Sequence, residues 1–112
     1  MDWRWLLLAG LVVAWLVLTR LGKISSARAH ELVARGATLV DVRTESEFAS
    51  GHLPGAINVP LHGLPERGAP LAGARKPIVV YCASGMRSAA AKRVLRRAGA
   101  TEVYDLGGMS RW

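Results

Sequence analysis

Pro77-Ile78-Val79-Val80-Tyr81-Cys82-Ala83-Ser84-Gly85-Met86-Arg87-Ser88 is the stretch on which the fold turns. Pro77–Tyr81 is short, β-branched and continuously apolar, which marks a strand buried on both faces rather than an amphipathic edge strand. Gly85 breaks the pattern and allows a tight turn. From Ser88, a residue suited to cap a helix, the sequence predicts a helix over 88–98 that ends at Gly99.

Working outward, Thr38–Val42 has the same buried-strand character, and shorter strands are predicted at Ala56–Val59 and Glu102–Leu106. Ser25 or Ser26 caps a first helix in which Ala29, Leu32 and Val33 recur at helical spacing up to Gly36. Glu45–Ala49 reads as a helical turn, Gly51-His52-Leu53-Pro54-Gly55 as a forced loop, and Leu61–Arg75 as a short helix with loops. Strands alternating with helices at this spacing imply parallel crossover units. The expected fold class is therefore α/β, with a central, mostly parallel sheet of about five strands flanked by helices.

Residues 1–22 differ from the rest. The run Trp5–Thr19 carries no charge and is apolar all round, so it requires an apolar environment on every side. A domain of residues 23–112 is too small to bury it, which leaves lipid. The expectation is thus one transmembrane helix in 1–22, inserted through residues 3–21, ahead of a domain at 23–112. Arg4 and Arg20 would snorkel, with Trp3 and Trp5 at the headgroup boundary. Arg20, Lys23, Arg28 and Arg35 follow the span, so the positive-inside rule puts the domain in the cytoplasm, a single-pass arrangement. The alternative is export after signal-peptide cleavage, for which Ala27-Arg28-Ala29 offers a small-x-small site.

The formal charge is +7, of which residues 1–22 supply one unit through Asp2, Arg4 and Arg20, leaving +6 on the domain. Arg87, Lys92, Arg93, Arg96 and Arg97 concentrate it, an arrangement that suits small anions, an anionic membrane surface or a solvated helix face. No stacking aromatics or recognition motif accompany them, so nucleic acid is not an expected partner. One cysteine excludes an internal disulfide and a multi-cysteine zinc site. It leaves a buried structural thiol or a reactive one.

Cys82 stands at the carboxyl end of a parallel strand, where open α/β sheets form their ligand crevice, and ahead of a helix N-terminus. Loop amides and a nearby Arg in that setting lower a thiol's pKa. An acidic Cys82 is expected, provided the amides aim at the sulfur and apolar side chains do not seal it.

Four stretches then resemble the rhodanese family in that family's order: Leu39-Val40-Asp41-Val42-Arg43 with Glu47-Phe48; Gly51-His52-Leu53-Pro54-Gly55-Ala56-Ile57-Asn58-Val59-Pro60; Val79–Ser88; and Leu106-Gly107-Gly108-Met109. The resemblance covers 24–112 and implies a rhodanese-like domain acting as a sulfurtransferase of the thiosulfate type. Cys82 would be the catalytic nucleophile, taking a sulfane sulfur from a small anionic donor and passing it to a thiol or cyanide acceptor. Ala83, Ser84, Gly85, Met86, Arg87 and Ser88 would bind the substrate, with loop amides cradling the persulfide and Arg87 holding the loop and attracting the anion. Asp41 and Arg43 would support the loop from beneath; Glu47 and His52 would be structural. The resemblance implies no cofactor and no metal. Ala83 replaces the basic residue of many thiosulfate-using relatives, so weaker use of thiosulfate is expected. The sequence stops at Trp112, where relatives continue into a last helix, so a membrane surface or a partner would cover part of the sheet.

Two other functions are weighed. Phosphatases and arsenate reductases on a related fold place five residues between Cys and Arg, enough to ring a tetrahedral oxyanion; here four residues separate Cys82 from Arg87, which suits a single sulfur atom. The other alternative is a membrane-tethered persulfide carrier or docking module with little small-molecule turnover, serving a protein partner.

Overall fold

The computed structural model describes residues 2–112. The chain begins with helix α1 (Trp3–Arg20), capped by the Asp2 carboxylate on the Arg4 amide. Then follow α2 (Ser26–Ala34), β1 (Thr38–Asp41), α3 (Glu45–Ala49), β2 (Ile57–Asn58), α4 (Leu64–Gly73), β3 (Ile78–Cys82), α5 (Met86–Arg97) and β4 (Val103–Gly108), with 3-10 turns at Leu61–Gly63 and Met109–Arg111. The sheet is wholly parallel, in the order β2-β1-β3-β4. This bears out the α/β expectation, with four strands rather than about five. Beside β4, where a fifth strand would lie, there is a single parallel bridge between Lys23 and Asp105.

The pleat of β3 sorts its side chains between two cores, because successive residues of a strand point to opposite faces. Ile78, Val80 and Cys82 face one cluster with Val40, Val42, Leu64, Ala91 and Leu95. Val79 and Tyr81 face the other with Ala29, Leu32, Leu39, Leu53 and Leu106. Both faces are covered, so the strand carries no polar alternation. Met109 and Trp112 pack on the second cluster, and Trp112 stacks on His30 at 3.7 Å. The end of the chain thus covers the sheet on the α2 side, a role assigned above to a membrane or a partner.

Ser25 is the residue that caps α2, accepting from the Arg28 amide at 3.1 Å. α3 starts with a reciprocal box between Thr44 and Glu47, a Thr-x-x-Glu signature that satisfies two amides at the helix start.

The membrane expectation is corrected. Among the described residues no helix is long and apolar enough to cross a membrane. The 18 residues of α1 measure about 27 Å at 1.5 Å per residue, and the stretch free of charge between Arg4 and Arg20 about 22 Å, against roughly 30 Å of hydrocarbon. The anchor through residues 3–21 and the single-pass, cytoplasmic placement fall with it. The cleavage triplet Ala27-Arg28-Ala29 lies inside α2, with Ala29 fully buried, so a cut there would divide a packed helix. Residues 3–18 of α1 are all exposed.

Candidate functional site

β3 delivers Cys82 to the end of the sheet, and the next residues fold back over its sulfur. Gly85 makes this possible with φ of 105°, a left-handed conformation that costs a residue with a side chain about 1–2 kcal/mol. In that conformation the Gly85 amide donates to Cys82 Sγ at 2.9 Å and the Ser88 amide at 3.4 Å. α5 starts at Met86, two residues earlier than predicted, and Gly85 occupies its cap position without a side-chain bond. Ser88 is therefore not a cap. Its buried hydroxyl turns inward and donates to the Gly85 carbonyl at 3.1 Å.

The electrostatics at the sulfur are opposed. Burial pushes the Cys82 thiol up, while the Ser88 hydroxyl and the amides of Ser88, Gly85 and Ser84 pull it down and prevail, leaving it below its ordinary value. The amides therefore aim as an acidic thiol requires. Accessibility is the other half of that expectation, and here the structure differs. Cys82 is 0% exposed and lies at the edge of the apolar cluster, with the peptide of the loop above it.

The six loop residues divide sharply. Ala83, Ser84 and Met86 are exposed, Met86 at 82%, whereas Gly85 and Ser88 are buried. Arg87 does not reach the sulfur. Its Nη1 and Nη2 donate to Glu47 Oε1 and Oε2 at 2.7 and 3.0 Å, a two-pronged pair that ties α5 to α3. The Arg87 guanidinium and the Thr44 amide bring the Glu47 carboxyl down to about 2. Arg87 thus has its charge matched by Glu47. Beside it opens a cleft of about 270 Å³ lined by Val42, Thr44, Pro60, Leu61, His62 and Arg87.

Asp41 and Arg43 form a second pair, this one buried. Arg43 Nη2 and Nε lie 2.7 and 3.0 Å from Asp41 Oδ2, and Nη2 also donates to the Gly51 carbonyl at 2.6 Å. The Tyr81 hydroxyl accepts from the Leu53 amide, so this cluster secures the 51–53 turn and makes no bond to the sulfur. His52 Nδ1 is bonded to the Phe48 carbonyl, and its ring stacks on Phe48 at 3.7 Å, the structural part expected of it.

Two residues here escaped the sequence reading. Lys23 Nζ pairs with Asp105 Oδ2 at 2.5 Å and donates to the Gly85 carbonyl at 2.8 Å. Asp105 is 2% exposed. The available signal was a carboxylate within the apolar run Val103–Leu106, since a buried charge requires a partner. Beneath the loop, Gly108 approaches so closely that a Cβ there would stand 2.8 Å from the Ala83 carbonyl oxygen.

Comparison with known proteins bears on the family and the fold. A family model described as a rhodanese-like domain matches residues 25–112. The chain is 43% identical over 79 residues to the uncharacterized protein YqhL of Bacillus subtilis, a match covering 70% of this chain and 62% of that protein, less than two thirds of its length. It is 35% identical over 96 residues to the thiosulfate sulfurtransferase GlpE of Stutzerimonas stutzeri, covering 85% of this chain and 87% of that one. Among solved structures, the human single-domain sulfurtransferase TSTD1 superposes with a TM-score of 0.67 at 28% identity, covering 78% of this chain and 89% of that one.

Proposed function

The chain belongs to the rhodanese-like domain family, and we propose on that footing that it is a sulfurtransferase carrying sulfane sulfur as a persulfide on Cys82. The observation that carries this reading is the Gly85 amide 2.9 Å from Sγ, joined by the Ser88 amide. Two fixed dipoles aimed at one sulfur stabilise negative charge there in the resting thiolate and in the transition state of transfer. With thiosulfate as donor, the Cys82 thiolate attacks the outer sulfur, the S–S bond of thiosulfate breaks, and sulfite leaves with the electron pair. An acceptor thiolate or cyanide then attacks the terminal sulfur and regenerates the Cys82 thiolate. Arg87, tied to Glu47, keeps the loop in register, and the Asp41–Arg43 pair fixes the neighbouring turn at Gly51.

A second reading draws on the complete burial of Cys82. A sealed sulfur suits a persulfide carrier whose protein partner opens the loop, with little turnover on free small molecules. Mass spectrometry of the intact protein after exposure to thiosulfate tests the first reading: one added sulfur atom is expected, and none in Cys82→Ser. No added mass with any sulfur donor overturns both. Added mass without steady conversion of cyanide to thiocyanate favours the carrier.

A further inference from the structure

Lys23 lies just after α1 in sequence, yet it ends beneath the sulfur-bearing loop. Its side chain is 10% exposed, and its stem runs against the bare faces of two glycines, with Cε and Nζ beside Gly85 and Cδ beside Gly107. Its path is fixed on both sides: Ile24 donates to the Asp105 carbonyl at 2.8 Å, and Asp105 Oδ1 accepts from the Gly107 amide at 2.8 Å. The Gly85 carbonyl accepts from three donors, Lys23 Nζ at 2.8 Å, the Ser88 hydroxyl at 3.1 Å and the Ala89 amide at 3.3 Å. Of these the ammonium is the shortest and the charged one, and charge-assisted bonds are roughly twice as strong as neutral ones.

We propose that Lys23 is a positioning residue for the reactive sulfur: anchored by Asp105, its ammonium holds the Gly85 carbonyl and so keeps the Gly85 N–H on Cys82 Sγ. The Gly85 N–H and C=O lie on the two peptide planes that meet at its α-carbon, so with Gly85 held at φ 105° and ψ −8° a carbonyl fixed toward Lys23 sets the direction of the N–H toward Sγ. Without the ammonium, the left-handed Gly85 loses its charged tether, and the amide facing the sulfur loses its fixed aim. The role rests on the Cys82 reading and adds a residue to it that touches neither sulfur nor substrate.

The test is a double substitution in the full-length chain, Lys23→Met with Asp105→Asn. It removes the cation without leaving an unpaired buried carboxylate and keeps an acceptor for the Gly107 amide. The pH profile of Cys82 alkylation is expected to move to higher pH. Sulfur uptake from thiosulfate at neutral pH is expected to fall about tenfold, as a rise of one pKa unit implies, and the two proteins should converge at alkaline pH. A folded variant with an unchanged profile overturns the proposal. A measurement on the wild type covers the case of a variant that does not fold: the Lys23 side-chain nitrogen resonance is expected to shift as Cys82 titrates, and a resonance that stays still overturns the proposal. If the wild type takes up no sulfur, the persulfide reading fails while both thiol measurements still judge Lys23.

Discussion

At Cys82 two effects of opposite sign meet, and hydrogen bonding outweighs burial. Ser88 contributes to that outcome twice, through its amide on Sγ and its hydroxyl. Ser88→Ala removes the hydroxyl and is expected to raise the thiol pKa. Because only the thiolate attacks, sulfur uptake at neutral pH should then fall, by about tenfold for each unit of the rise, and recover as pH climbs through the new value. A pH series of alkylation and sulfur-uptake rates checks this; a uniform loss at every pH would mean that the serine only shapes the loop. The sign for stability runs the same way. A thiol whose pKa is depressed on folding stabilises the fold above its unfolded pKa, and that contribution is lost as pH falls through the folded one.

The pair Asp41 and Arg43 operates between elements, joining the end of β1 to the turn at Gly51. Asp41 is 0% exposed, so Arg43→Met leaves a buried carboxylate without its cation. A loss of about 3–5 kcal/mol is expected in denaturant unfolding, with Asp41→Asn/Arg43→Met milder than the single change. The strands β1 and β3 were legible in the sequence because continuous β-branched runs with an abrupt end have few other structural uses; Asp41 and Arg43 were singled out only through the family resemblance, which put them beneath the sulfur loop and not at the Gly51 turn they hold. The start of α5 was not: Ser88 has the chemistry of a cap, and nothing local distinguishes a serine that caps from one whose hydroxyl turns inward at the third helical position. β2 shrank to Ile57–Asn58 because strand length depends on the partner, here the short β1, and a sequence run does not report its partner. The Lys23–Asp105 contact spans 82 positions, beyond the reach of any periodicity. The apolar run of α1 was read by composition, and the distance between Arg4 and Arg20 decided against that reading.

Over the whole molecule, stability resides in the two clusters on either face of the sheet, and among the described side chains α1 supplies none to either. A chain beginning at Leu21 is therefore expected to keep the denaturant midpoint of the full-length protein, as measured by circular dichroism. Leu95→Ala, in the α5 face of the core, should cost about 2–5 kcal/mol in the same assay. Between α1 and the core runs the strap Lys23-Ile24, bridged to Asp105 and gripped from the other side by Arg111, which donates to the Ile24 carbonyl at 3.0 Å. The family match starts two residues downstream of Lys23. An expression boundary drawn at residue 25 would retain Cys82 and its entire loop yet discard the ammonium beneath it and leave the buried Asp105 without its partner. Thiol reactivity gathered on such a trimmed protein would describe a different sulfur environment from that of the chain that keeps Lys23.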